Sequence, residues 1–239
     1  MKLALFSYGF PHKKTQDFIL RLLLEGYKIE FVVVAKPVKL NLPKSILRVK
    51  PSHIDVLHPA TICQRLDIPY HILPHNSEEV GQLARSNSID IGIIAGARIL
   101  KKNIIDSFKK GIINFHPGLI PEVRGIDALK WAIYYDLPIG VTVHLIDERI
   151  DAGRIILKRE IPVYEDDTFI DLSLRLDETQ INLLPEVLRI VEDKGIDEFP
   201  IVTSGKRANP AMTEEFEKEL PRKLKCRANK VGYDANPTN

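Results

Sequence analysis

Three residues of this chain are of types that could act together on one substrate atom: Asn114, His116 and Asp151. An amide can donate to a developing oxyanion, an imidazole can carry a proton near neutral pH, and a carboxylate can orient that imidazole or relay its proton. Asn114 and His116 stand two apart in Asn114-Phe115-His116-Pro117-Gly118-Leu119-Ile120-Pro121. On an extended strand, residues two apart share a face. Pro117 removes a backbone donor and stops the strand, so both side chains belong at its carboxyl end. In open α/β sheets that edge is where ligands bind. Asp151 heads an Asp-Ala-Gly turn after a second strand-like run. Each residue also has a plainer use. A lone strand-end histidine packs more often than it catalyses, Asn114 could bond neighbouring backbone, and Asp before Ala-Gly is good turn chemistry.

The elements that must position these residues alternate along the chain. Residues 2–7 and 29–35 read as buried strands, rich in apolar and β-branched residues. Between them Phe18, Ile19, Leu22 and Leu23 recur at helical spacing until Gly26. A long irregular stretch over 36–59, broken by Pro37, Pro43, Pro51 and Pro59, follows; a loop of that length is usually functional or mobile. Short helices are expected over 61–66 and 101–109. A helix over 77–87 is capped by Ser77, with Glu78 and Glu79 at its positive end. Strands are expected over 70–73, 91–95 and 111–115. Such alternation argues for a mostly parallel, doubly wound sheet. The pattern then changes: a helix over 127–135, strands over 141–146 and 154–163 as an antiparallel pair, and a long helix over 167–191. Pro185 should kink or split that helix. One helix over 214–225 and a frayed polar end at 231–239 complete the reading.

Bulk properties exclude several classes. A chain of 239 residues, 44% hydrophobic, can bury a substantial core. The net charge of +2 is too small to argue for nucleic acid or a membrane. Beyond Thr203 bases outnumber acids, which reads first as a solvated helix and second as an anion-facing arm. Cys63 and Cys226 show neither metal nor disulfide spacing, so no metal is expected and the thiols read as reduced. The apolar start is too short for a signal peptide, and no run is long enough to span a bilayer. The cytoplasm is the default expectation.

The block N-x-H-P-x-L-x-P, then Arg124-Gly125, Trp131-Ala132-Ile133, Gly140-Val141-Thr142-Val143-His144 and Asp147-x-x-x-Asp151-x-Gly153 resembles the formyltransferase catalytic domain. The likeness is specific over 91–165 and general over 1–190. It implies a Rossmann-like domain over 1–195, with antiparallel strands added at its C-terminal side, and a short C-terminal extension over 196–239. It also implies transfer of a formyl group from N10-formyltetrahydrofolate, as co-substrate, to an amine. Asn114 would hold the formyl oxygen in the tetrahedral state. His116 would stabilise the oxyanion or take the amine proton, and Asp151 would orient His116 and relay protons. Arg98, Ile99 and Leu100, with Ile146, Asp147 and Ile150, resemble the stretches that grip the pterin ring; the plainer reading is a sheet-edge loop. His144 reads as structural rather than catalytic. Gly118 and Ile120 depart from the family's common Ser and Leu, and read as tolerated packing variants.

The acceptor is less legible. The first turn, Ser7-Tyr8-Gly9-Phe10-Pro11-His12, lacks G-x-G-x-x-G and so argues against a dinucleotide. It also lacks the phosphate loop that the resemblance implies for glycinamide ribonucleotide formyltransferases. Tyr8 and Phe10 offer aromatic surface instead, Arg124 could meet an anionic acceptor, and Lys36, Lys39, Lys44, Arg48 and Lys50 could meet a pyrophosphate. A nucleotide-linked amino sugar is therefore the expected acceptor, in an enzyme expected to form homodimers. Glycinamide ribonucleotide and methionyl-tRNA are the alternatives; tRNA is disfavoured because only a short tail follows the long helix. From other classes, a formyltetrahydrofolate hydrolase would carry an added domain ahead of the motif, which this sequence is expected to lack. A non-catalytic folate-binding module would not need the intact trio.

Overall fold

The computed structural model describes residues 1–39, 41–47, 55–202 and 207–228. Its elements in chain order are β1 (Leu3–Tyr8), α1 (Lys13–Leu24), β2 (Ile29–Ala35), α2 (Pro59–Arg65), β3 (Tyr70–Ile72), α3 (Glu78–Ser86), β4 (Ile91–Ile94), α4 (Lys102–Ile105), β5 (Ile112–His116), α5 (Ala128–Tyr134), β6 (Gly140–Leu145), β7 (Arg154–Glu160), α6 (Phe169–Asp193), α7 (Glu214–Glu217) and α8 (Leu220–Ala228). The seven strands form one sheet in the order β3-β2-β1-β4-β5-β6-β7. The first five are parallel, while β6 runs antiparallel to β5 and β7 to β6. The expected mixed sheet is thus present, with its antiparallel strands on the C-terminal side.

Strand parity explains the apolar runs. Leu3 and Leu5 of β1 face one core with Val32, Val34, Ile93, Ile113 and Phe115, closed by α1, α5 and α6. Ala4 and Phe6 face a second, smaller core with Phe31, Val33 and Ile112, closed by α3 and α4. With both faces covered, alternation disappears and the strands read as continuous apolar segments. Chain order reverses between β1 and β4. A crevice opens at such a switch point, outside the carboxyl ends of the parallel strands.

Three local expectations are corrected. Helix α6 is continuous through Pro185. The proline forfeits a bond to the Ile181 carbonyl and crowds it, a penalty of ~3 kcal/mol. Leu183, Leu184, Val187, Leu188 and Val191 around it are all buried, and each buried side chain contributes ~1.5–3 kcal/mol, so packing wins. The helix expected over 214–225 is two, α7 and α8. Pro221 lies in the first turn of α8, where a proline is tolerated; in one continuous helix its ring would strike the Glu217 carbonyl. Ser77 occupies the N-cap position of α3, but its hydroxyl makes no capping bond. Arg48, Lys50 and the end at 231–239 lie outside the described residues.

The segment after α6 packs back onto the sheet and α5. Pro200 and Val202 bond the start of β7 and Gly153 through their backbone. Lys130 of α5 donates to Glu217 of α7 at 2.6 Å, and the other Glu217 oxygen accepts from the Ile46 amide at 2.7 Å. Residues 46 and 47 of the long loop are therefore docked on α5 and α7. No helix among the described residues is long and apolar enough to cross a membrane.

Candidate active site

Strand β5 ends in the crevice beside β4, and its last turns of pleat put Asn114 and His116 on the face shared with Ile112. Antiparallel pairing sets His144 of β6 opposite Asn114, and Thr142 opposite His116. His116 Nε2 lies 2.9 Å from the Val123 carbonyl. A carbonyl only accepts, so Nε2 carries the hydrogen and Nδ1 is the atom free to gain or lose a proton. That Nδ1 is 3.4 Å from Asp151 Oδ1. The second Asp151 oxygen accepts the Gly125 amide at 2.8 Å. His144 donates from Nδ1 to the Ala152 carbonyl at 2.7 Å. Its Nε2 therefore accepts from the Asn114 amide at 3.2 Å. One Asn114 hydrogen is thereby fixed; the second points toward Asp151 Oδ1 across a weak 3.5 Å contact.

The turn that carries Asp151 needs special backbone. Asp151 itself is left-handed, at φ 43°, a conformation that Asp and Asn tolerate better than other residues with a side chain. Gly153 sits at φ 101°, and a Cβ there would lie 2.1 Å from the Leu145 carbonyl, so no other residue fits. Gly125, at φ 94°, lies against Asn209 of the C-terminal segment, whose amide bonds the Arg124 carbonyl at 2.8 Å. The segment after α6 thus braces the loop that holds Asp151. Gly118 is also constrained: a Cβ would stand 2.8 Å from His116 Nε2 and 2.9 Å from the Val123 carbonyl. A side chain at this position would require the His116–Val123 bond to shift.

Burial dominates the electrostatics. Desolvation holds His116 below its ordinary pKa of 6.5, against the raising influence of Asp151 and of the Val123 bond; Lys14 and Arg124 lower it further. His144 is pushed down to about 4, by burial first and by His116 second, and stays neutral. The surrounding pocket, about 300 Å³, is lined by Tyr8, His12, Lys14, residues 94–97, 114–117, Gly125, Ile126, Ile150 and Asp151. It holds an amide donor, an imidazole and a carboxylate around one space, a set suited to acyl transfer to a nucleophile.

Residues 72–188 match the model of the formyl transferase family. That stretch, just under half of the chain, includes Asn114, His116 and Asp151. Methionyl-tRNA formyltransferase of Thermosynechococcus vestitus is 34% identical over 113 residues, 46% of this chain and 34% of that protein. Phosphoribosylglycinamide formyltransferase of Haemophilus influenzae is 29% identical over 114 residues, 47% of this chain and 54% of that protein. The match therefore spans about a third to about half of these relatives' length. The structure of a sugar N-formyltransferase from a Shewanella species superposes with a TM-score of 0.58 at 21% identity, covering 87% of this chain and 75% of the other. At that identity the likeness is one of fold.

The other residues expected to serve a formyl transferase site are dispersed. Ile150 and Tyr8 line the pocket that holds Asn114, His116 and Asp151. Leu100 buries its side chain in the smaller core, while its backbone N–H and carbonyl have no partner among the described residues. The neighbouring carbonyls are already used: Ala97 accepts from the Tyr8 hydroxyl at 2.7 Å, and Ile99 from Asn76 at 3.0 Å. Ile99 exposes its side chain. Ile146 bonds Ile112 through its amide, and Asp147 is held by the backbone and guanidinium of Arg149. Arg124 donates from Nε to the Ile150 carbonyl at 3.0 Å, tying down the turn before Asp151. Arg98, Phe10 and Lys36 line an adjoining cavity of about 650 Å³, together with Tyr8, Pro37, Val38, Pro74 and His75. Among the described residues no three His, Cys, Asp or Glu side chains are grouped to hold a metal ion.

Sequence reasoning passed over Lys14 and gave His144 only a structural part. His144 in fact orients the Asn114 amide. Its place opposite Asn114 could be found from the β5–β6 register. Lys14 gave no local signal, since its role depends on how α1 packs against β5.

Proposed function

We propose that this chain transfers the formyl group of N10-formyltetrahydrofolate to the amine of a nucleotide-linked sugar. The observation that carries formyl transfer is the convergence of Asn114, His116 and Asp151 in one pocket of a formyl transferase fold. The second Asn114 hydrogen, held only by the weak 3.5 Å contact to Asp151 Oδ1, donates to the formyl oxygen as its charge develops. His116 Nδ1 accepts the proton that the attacking nitrogen sheds as the new carbon–nitrogen bond forms, and Asp151 stabilises the resulting imidazolium. His116 then returns the proton to the departing N10 nitrogen of the folate. The unpartnered Leu100 backbone groups suit a heterocycle rim carrying donors and acceptors.

The acceptor class rests on the larger cavity. Tyr8 and Phe10 stack with ring centroids 5.4 Å apart and planes 6° apart. Lys36 and Arg98 supply positive charge to the same cavity, and Tyr8 lines both it and the catalytic pocket. A nucleotide-linked sugar has a ring to stack, an anion to pair and an amine to place; a simple amine has only the last. Uridine, thymidine or guanosine diphosphate is therefore expected to raise the melting temperature where simple amines do nothing. At a hundred times Kd the gain is ~2.7 kcal/mol, roughly 5–10 °C for a domain of this size. Flat melting across the three nucleotides, with formylation of glycinamide ribonucleotide, would contradict this acceptor class.

A further inference from the structure

Lys14 occupies a place that helix stability does not ask for. It lies in the first turn of α1, where the helix dipole disfavours a cation by ~0.3–1 kcal/mol. Its stem runs beside the Phe18 ring, with Nζ 5.2 Å from the centroid. Phe18 in turn packs edge-on against Phe115, 5.2 Å between centroids. This packing delivers the ammonium to the Phe115 carbonyl, 2.8 Å away. Phe115 is the residue between Asn114 and His116, and Lys14 lines the catalytic pocket with them. Burial pushes the ammonium down to about 8, against the pull of Asp177 on α6 and of Asp151.

We propose that Lys14 is a positioning residue for formyl transfer: it pins the peptide between Asn114 and His116 and sets a positive charge in the pocket that holds the His116 imidazole. The idea rests on the transfer reading above. The groups facing His116 are Asp151 from the β6–β7 turn, Arg124 from the loop before α5, His144 from β6 and Lys14 from α1. Asp151 favours the imidazolium; Lys14 and Arg124 oppose it. Around Lys14 stand Asp151, Asp177 and His12, and Asp17 faces Asp177. Lys14 brings its charge from the α1 side and Arg124 from the loop before α5.

Three variants alter its donor and its charge. Lys14→Gln keeps a donor but no charge, Lys14→Met keeps neither, and Lys14→Arg keeps both. The His116 ring is followed by NMR across pH in folded protein, assigned by its loss in His116→Asn; this needs neither folate nor acceptor. In Lys14→Gln and Lys14→Met the His116 midpoint is expected to rise by about one pH unit, the scale of losing one nearby charge. The acid limb of kcat should rise with it, so that kcat on the acid side of the limb falls roughly tenfold. Lys14→Arg should hold the wild-type midpoint. An unchanged midpoint in both neutral variants would overturn the proposal. So would a rise in acceptor KM alone with kcat and the acid limb fixed, since that marks Lys14 as a substrate anchor. Absence of amine-dependent tetrahydrofolate release in the wild type would defeat the transfer reading itself, and is read separately from the imidazole shift.

Discussion

Replacing His116 with alanine is expected to lower kcat by about a hundredfold or more, and Asn114→Ala by a similar factor, the scale of losing a general base or one oxyanion donor. The two effects have different origins. His116 is locked by the Val123 carbonyl on one nitrogen and faces Asp151 with the other, so its removal leaves the attacking amine without an oriented proton acceptor. Asn114 is held by His144, which leaves its second hydrogen for the substrate. Its removal takes away the donor while leaving the base in place. Because both side chains act on one transition state, the double variant should lose much less than the product of the two factors. Steady-state kinetics on variants with wild-type melting would check this; turnover within a few-fold of wild type in both single variants would contradict it.

Asp151→Asn is expected to depress kcat about as far while leaving binding of a non-reactive folate analogue largely unchanged. Asparagine tolerates the left-handed backbone at φ 43°, so the turn should survive. The Gly125 amide needs an oxygen opposite it, which forces the new NH2 group toward His116 Nδ1. There it donates to the lone pair that should accept the substrate proton, and no negative charge remains to stabilise an imidazolium. Calorimetric titration with the analogue beside turnover at saturation separates the possibilities. Lost binding with unchanged turnover would make Asp151 a structural turn residue.

Much of this was legible before the structure, for local reasons. The parallel sheet could be read because strands covered on both faces must be apolar throughout, as in β1 and β2. Asn114 and His116 could be paired because strand parity and the Pro117 stop are properties of neighbours in sequence. What could not be read depends on contacts between distant segments. The Gly125–Asn209 pairing makes the segment after α6 a brace for Asp151, and nothing near either residue announces it. Lys14 looks like any surface lysine until α1 is laid against β5. Pro185 shows the same limit: its local rule is sound, but burial along the whole helix outweighs it. Arg98 and Leu100 were expected on one surface, yet Arg98 lines the larger cavity beside Phe10 while Leu100 is buried in the smaller core, because the bend after β4 turns nearby residues toward different spaces.

The most direct test of formyl transfer is the fate of N10-formyltetrahydrofolate with and without an amine. Wild-type protein is incubated with the co-substrate alone, and then with thymidine- and uridine-diphosphate amino sugars. Tetrahydrofolate and the formylated amine are both quantified. The account predicts that tetrahydrofolate appears only when an amino sugar is present, in equal amount with the formamide, and that His116→Ala abolishes both. Equal release without any amine would make the chain a hydrolase, and no release under either condition would make it a binding module; either result would contradict formyl transfer.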